Sequence, residues 1–216
     1  EVSKELEIGT DMAFRFSKSA NWLRSISLSA TYWSRTSEDV IDRVDVAPSQ
    51  GFGRVLTNSI DIKSDGIQAA LNIGVYSSKN FSWNSTTNFS KQKSVVDKVL
   101  GDAEIIKTSA AGSTQYVIKA GEKVGQIYGF LFLNAVNQLD PNGVEFIPKA
   151  DQGLYEVASN GYVVNKTTRQ PFASPGTYAL GDPNPRFNMS FINDFNYKSY
   201  LSFGFQLDWV YKSTLY

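Results

Sequence analysis

Period-two alternation marks much of this chain. From Leu201 to Tyr211 every odd position is apolar (Leu201, Phe203, Phe205, Leu207, Trp209, Tyr211), while Ser202, Gly204, Gln206 and Asp208 fill most of the even ones. That spacing is the signature of a strand with two unlike faces. The preceding stretch repeats it, with Phe187, Met189, Phe191, Phe195 and Tyr197 on one face and Asn188, Ser190, Asp194 and Asn196 on the other; Tyr197 to Tyr200 joins the two. A soluble strand averages about five or six residues, whereas a tilted strand crossing a bilayer needs about nine to eleven. The lengths here predict a membrane-spanning hairpin. Aromatic rings gather toward the strand ends, where they would sit among headgroups, and the polar face of Asn, Ser, Gly and Gln suits a wet lumen. A β-sandwich hairpin with one solvated face alternates in the same way and stays open as an alternative.

The pattern recurs along the chain. Leu6, Ile8, Met12, Phe14 and Phe16 alternate with Glu5, Glu7, Asp11 and Arg15; Ser17 to Asn21 is a polar turn; Ile26, Leu28, Ala30 and Tyr32 then oppose Ser25, Ser27, Ser29 and Thr31. After Gly66, the residues Ile67, Ala69, Leu71, Ile73 and Val75 alternate with Gln68, Asn72 and Gly74, Ser77 to Asn80 turns the chain, and Phe81, Trp83, Thr87 and Phe89 alternate with Ser82, Asn84, Thr86, Asn88 and Ser90. By this parity Leu28, Leu71, Phe89, Phe191 and Phe205 face lipid. The count is about six spanning strands, and about eight is the smallest closed barrel, so the chain reads as part of a larger one.

Between the strands lie two long excursions. Over 34–65 the alternation breaks into short pieces carrying Asp39, Asp42, Asp45, Asp61 and Asp65, with a turn at Pro48 to Gly53. Several carboxylates could converge on a hard cation, but no EF-hand spacing is present, and solvated loop charge is the better reading. The second excursion, 91–180, is rich in Gly, Asn, Pro and Lys and holds short apolar pieces such as Ile127 to Leu133 and Tyr162 to Val164. A structureless loop of that length is out of place in a compact domain, which predicts a folded cap. Short turns at one end and long loops at the other are the habit of outer-membrane barrels, so both excursions are expected on the extracellular side.

Composition removes function classes. Charge is balanced, 21 basic against 21 acidic residues, which suggests no nucleic-acid partner. Cys and His are both absent from the sequence, so Ser-His-Asp and Cys-His catalysis and the usual zinc, haem and iron–sulfur ligand sets are excluded within it. Aromatics at 13% exceed what an ordinary core needs. No run of about eighteen apolar residues offers a transmembrane helix, which leaves a barrel untouched. Lacking a charged n-region and apolar h-region at Glu1, the chain reads as processed, truncated or part of something longer.

Particular stretches resemble a known family. Glu7-Ile8-Gly9-Thr10-Asp11, Tyr32 with Thr36 and Asp39, and Asn58 followed by Asp65-Gly66-Ile67 resemble the strand series in the C-terminal half of SusC-like TonB-dependent outer-membrane transporters. Gly121 through Gly125-Gln126-Ile127-Tyr128-Gly129 is similar to the family's G-x-x-x-G-x-x-Y-G segment. Gly181-Asp182-Pro183-Asn184-Pro185-Arg186-Phe187 is similar to its lead-in to a late barrel strand, and Asp208-Trp209 to Leu215-Tyr216 to a strand near the end of the barrel. Physically the Gly181, Asp182, Pro183, Pro185 motif reads as a turn, with Gly free in φ and Pro fixing it. Where the family often has an acidic, Gly-containing loop before this motif, Pro175-Gly176-Thr177 runs almost directly into it, so the resemblance carries over no metal site of that loop.

The resemblance implies an all-β chain, about six spanning strands of a barrel of about 22, with the N-terminal plug, the TonB-contacting segment and further strands elsewhere. It implies import of oligosaccharides or peptides across the bacterial outer membrane, with a SusD-like surface lipoprotein as lid and TonB acting through the missing N-terminal part. No catalysis, cofactor or metal is expected. A passive porin and a soluble carbohydrate-binding module are the rival functions. Recognition should sit in the loops, since a rigid scaffold leaves specificity to them. In the cap Tyr116, Tyr128, Tyr155, Tyr162 and Phe172 could stack on sugar faces or anchor the lid, or could form the cap's own core.

Overall fold

The computed structural model describes residues 1–16, 21–45, 54–100, 105–108 and 115–214. Most of the expected turn at Ser17 to Asn21, the turn at Pro48 to Gly53, and the ending at Leu215 and Tyr216 lie outside the described residues. In chain order the strands are β1 Val2–Arg15, β2 Trp22–Asp45, β3 Arg54–Ser77, β4 Phe81–Val99, β5 Ile105–Thr108, β6 Gln115–Ile118, β7 Ile127–Phe132, β8 Tyr155–Val157, β9 Val163–Asn165, β10 Ala173–Gly181, β11 Phe187–Tyr197 and β12 Leu201–Tyr211. They form two compact units, one of residues 1–105, 118–125 and 182–216, the other of residues 106–117 and 126–181.

The first unit is a six-stranded antiparallel sheet in the order β1-β2-β3-β4-β11-β12. Its register carries the sequence pattern across the whole sheet. Met12 pairs with Leu28, Leu28 with Leu71, Leu71 with Thr87, Thr87 with Phe191 and Phe191 with Leu207. One residue along, Asp11, Ser29, Ala70, Asn88, Ser190 and Asp208 form the matching row. Directly paired side chains share a face and neighbours along a strand do not, so one face is apolar and the other polar. All seven prolines lie outside these six strands, as the ladder requires.

Among the described residues of this unit, nothing covers the apolar face. Ile8, Phe14, Phe203 and Leu207 are 57–62% exposed. A β-sandwich would bury such residues against a second sheet, so that alternative does not fit. Two bands of rings border the face. Trp22 packs edge-on to Tyr76 at 4.9 Å, Tyr76 lies 5.8 Å from Phe81, and Phe195 stacks on Trp83 at 5.5 Å and on Phe203 and Phe205 at 6.1 Å. At the other margin Phe187 stands 5.7 Å from Phe89, 5.2 Å from Trp209 and 4.9 Å from Tyr211. These are the aromatic girdles of a membrane barrel.

Past the second girdle the chain departs from the sequence expectation. The stretch 34–65 is not a loop throughout. β2 and β3 stay paired out to Val44↔Val55 and Asp45↔Arg54, interrupted by irregularities near Asp39 and Val40. Asp39 has a positive φ of 57°, and its N–H donates to the Asp61 carboxylate at 2.9 Å. Likewise 91–180 begins as strand, since β4 continues to Val99. Both faces of this ribbon are largely polar, which erases the alternation while leaving the backbone ladder intact. A small core of Ile60, Val96 and Val99, packed by Val40, Ile62, Ile118 and Val124, holds it.

The second unit has a four-stranded sheet in the order β10-β7-β6-β5 and a two-stranded ribbon of β8 and β9. Its core is Leu133, Ile147 and Val163, each at most 1% exposed, packed by Val136, Phe146, Tyr155 and Phe172. The turn at Asp140 to Gly143 is closed by the Asp140 carboxylate, which accepts from the N–H groups of Asn142 at 2.9 Å and Val144 at 2.8 Å.

Candidate functional site

The polar face of the sheet is the first candidate. Its side chains satisfy one another across strands. The Thr86 hydroxyl donates to Asn72 Oδ1 at 2.8 Å, Asn88 Nδ2 to Ser190 at 3.3 Å, and the Ser202 hydroxyl to Asn196 Oδ1 at 2.8 Å. A hollow of about 550 Å³ lies against this face, bordered by Ser29, Gln68, Asn88, Ser90, Ser190 and Asp208. Such a surface can hydrogen-bond a hydroxylated or amide-bearing solute. Among the described residues no cluster of metal-ligating side chains converges.

The apolar face carries a few polar residues near its middle, among them Thr87, Ser85 and Asn193. Asn193 pairs with Ser85 and Phe205, and its Oδ1 accepts from the Trp83 indole N–H at 3.0 Å. In hydrocarbon an unpaired amide is costly, and this bond removes part of the cost. Glycine has a packing role at Gly66, paired with Trp33: a Cβ there would lie 2.6 Å from the indole ring. The strand passes under the ring only because that side chain is missing.

Two sequence motifs meet in a knot within the first unit. β11 pairs with β4 no further than Asn188↔Ser90, and the segment 119–124 takes over the same edge, with Val124 N donating to Ser94 O at 3.0 Å and Val96 N to Glu122 O at 2.9 Å. Gly125 turns at a φ of +83°. Against this segment lies the Asp182 motif. Lys123 Nζ donates to Asp182 Oδ2 at 2.8 Å, the Asn184 N–H donates to Asp182 Oδ1 at 2.9 Å, and Asn184 Nδ2 reaches Val124 O at 3.1 Å. Thr214 N donates to Asp182 O and the Ser213 hydroxyl to Pro183 O, both at 2.9 Å. Burial pushes the Asp182 carboxyl up, but the bonds from Lys123 and Asn184 and the Lys123 charge outweigh it and hold it below its ordinary value. Gly181 ends β10 opposite Ile127, and Pro183 and Pro185 steer the chain toward Phe187. Lys123 and Asn184 carried no sequence signal beyond lying inside these motifs. Their pairing spans about sixty positions and is invisible to local pattern.

The five rings expected in the cap separate. Tyr155 and Phe172 pack edge-on at 5.4 Å over the Leu133, Ile147 and Val163 core. Tyr162 is 44% exposed and lies 6.1 Å from Phe132. Tyr128 is paired in β7 with Gln115 and Ala179. Tyr116 pairs with Ile127, and its side chain lies outside the described residues.

A sheet with one lipid-like face, one wet face and two ring girdles defines a piece of a transmembrane β-barrel wall. No family model matches the chain. By sequence it is a homologue of TonB-dependent receptors. It is 24% identical over 210 residues to TonB-dependent receptor P3 of Formosa agariphila, covering 93% of this chain and 19% of that protein. It is 25% identical over 183 residues to TonB-dependent receptor P39 of the same organism, covering 79% and 17%. The fold is found in the RagAB peptide transporter, with a TM-score of 0.60, 16% identity and cover of 96% of this chain and 21% of that one. In the open-open state of the RagAB peptide importer the TM-score is 0.62, at 15% identity. The chain thus spans about a fifth of the length of the relatives it matches.

Proposed function

We propose that this chain forms part of the barrel wall of a TonB-dependent active importer in the bacterial outer membrane. The observation that carries the reading is the row from Met12 to Leu207, continuous across six strands and apolar on all of them but β4, where it holds Thr87, with its polar counterpart from Asp11 to Asp208 behind it. Likeness to TonB-dependent receptors and to a peptide transporter supports import over a passive pore. The solute class is oligosaccharides or peptides, which the amide- and hydroxyl-lined face would pass. A SusD-like lipoprotein closes the extracellular side, and TonB supplies energy through a part outside this chain. The second unit carries recognition, with the exposed Tyr162 as its best placed ring.

The test removes that unit from the complete protein. Excising 140–170 would take Ile147 and Val163 out of its core and leave a remnant without one. The cleaner deletion takes out both segments of the unit, 106–117 and 126–181, each replaced by a short linker. The barrel should stay folded and resistant to denaturation, while uptake and lipoprotein capture are lost. Retention of both would place recognition elsewhere in the protein.

A further inference from the structure

Where β4 changes partners, a hollow of about 660 Å³ opens, lined by four cations, three rings and neutral polar groups, with Asp182 as its one carboxylate. Lys91, Gln92 and Lys93 lie between Ser90, the last residue paired to β11, and Ser94, the first bonded to the segment 119–124. Lys91 and Lys93 share the register parity of Phe89 and so belong to the apolar face, just beyond its upper girdle. Arg186 borders the same hollow, with its backbone N–H bonded to Tyr211 O at 2.9 Å. Phe89, Phe187 and Tyr211, stacked at 4.9–5.7 Å, supply the apolar side.

The charges are unevenly matched. Lys123 is committed to Asp182, while among the described residues the side chains of Lys91, Lys93 and Arg186 make no ion pair or hydrogen bond. Asp65 stands opposite Lys93 in the register without bonding it. Three cations at the rim of a lipid-facing girdle match an anionic headgroup whose acyl chains lie along the rings below. We propose that this hollow holds the phosphate-bearing headgroup of a lipid of the surrounding membrane. The inference rests on the reading of the apolar face as lipid-facing. Lys and Arg near an anionic surface contribute about 1 kcal/mol each, so the loss is about fivefold per charge removed and on the order of a hundredfold for all three.

The complete barrel, in nanodiscs of phosphatidylcholine doped with lipid A, a bisphosphorylated glycolipid, is extracted gently and its retained lipid counted by native mass spectrometry. Wild type should retain lipid A but not dephosphorylated lipid A, and the variant K91Q/K93Q/R186Q should lose it. Equal retention of the dephosphorylated lipid, or full retention by the variant, overturns the site. If the variant does not fold, the comparison of the two lipids on wild type decides alone. Displacement by inorganic phosphate at matched concentration would assign the hollow to a soluble anion and also overturn it. A spin label at Leu71 separates the two levels: lipid contact there without retention fails this site only, whereas water contact fails the membrane reading beneath it.

Discussion

Leu71→Arg in the complete barrel tests the orientation of the wall most directly. Leu71 lies in the row from Met12 to Leu207. Along β3 it stands between Ile67, level with Lys91, and Tyr76, in the lower girdle. That interval is about 30 Å of strand at roughly 3.3 Å per residue, or about 23 Å of depth at a tilt near 40°, close to the apolar band of about 25 Å in outer-membrane barrels. Leu71 falls near its middle, where an Arg costs about 2–4 kcal/mol, about 30- to 900-fold in the folding equilibrium. Asn72→Arg, one residue along, turns to the wet face and should cost under about 1 kcal/mol. Reversible folding into vesicles from urea, followed by tryptophan emission, gives both values. A larger penalty at Asn72 than at Leu71 would refute the assignment of faces.

Two further outcomes follow from individual bonds. The Asp182 carboxyl titrates below its ordinary value when folded, so its contribution is present above the unfolded pKa near ~3.9 and disappears as pH falls through the lowered folded value. Amide exchange of Glu122 to Val124 in the complete barrel should therefore accelerate below about pH 4, and Asp182→Asn should weaken the knot by about 1–3 kcal/mol at neutral pH; unchanged protection in that variant would remove the knot's role. Trp83→Phe strips the donor from Asn193 on the lipid side and should cost about 1–2 kcal/mol, recovered when Asn193→Leu is added. Equal stability of wild type and the single variant in urea titration would show that Asn193 is satisfied otherwise.

What could be read from the chain followed its solvent. Where one face meets lipid and the other water, alternation prevails despite exceptions such as Thr87 and Asn193, and every spanning strand from Leu6–Phe16 to Leu201–Tyr211 is visible. Beyond the girdles polar side chains stand on both faces around a small buried core, so Ser34 to Asp45 and Arg54 to Asp65 lose the signal although they remain paired strand. Cross-strand ion pairs such as Lys4–Glu38 and Arg35–Glu5 stand in for apolar contacts there. Strands of three to six residues in the second unit are too short for periodicity to register. Gly66 was legible only as a position in a family-like stretch and the Asp182 motif as a turn, but their partners Trp33 and Lys123 required the fold.

The knot at Lys123 and Asp182 has an evolutionary consequence. Because outgoing and returning chain are fastened side by side in the first unit, the segment between Gly125 and Asp182 leaves and re-enters it through one closed stem. Lengthening, replacing or shedding that segment leaves the hydrogen-bond ladder of the neighbouring strands unshifted. Selection on that segment is thereby uncoupled from selection on the strands that hold the stem.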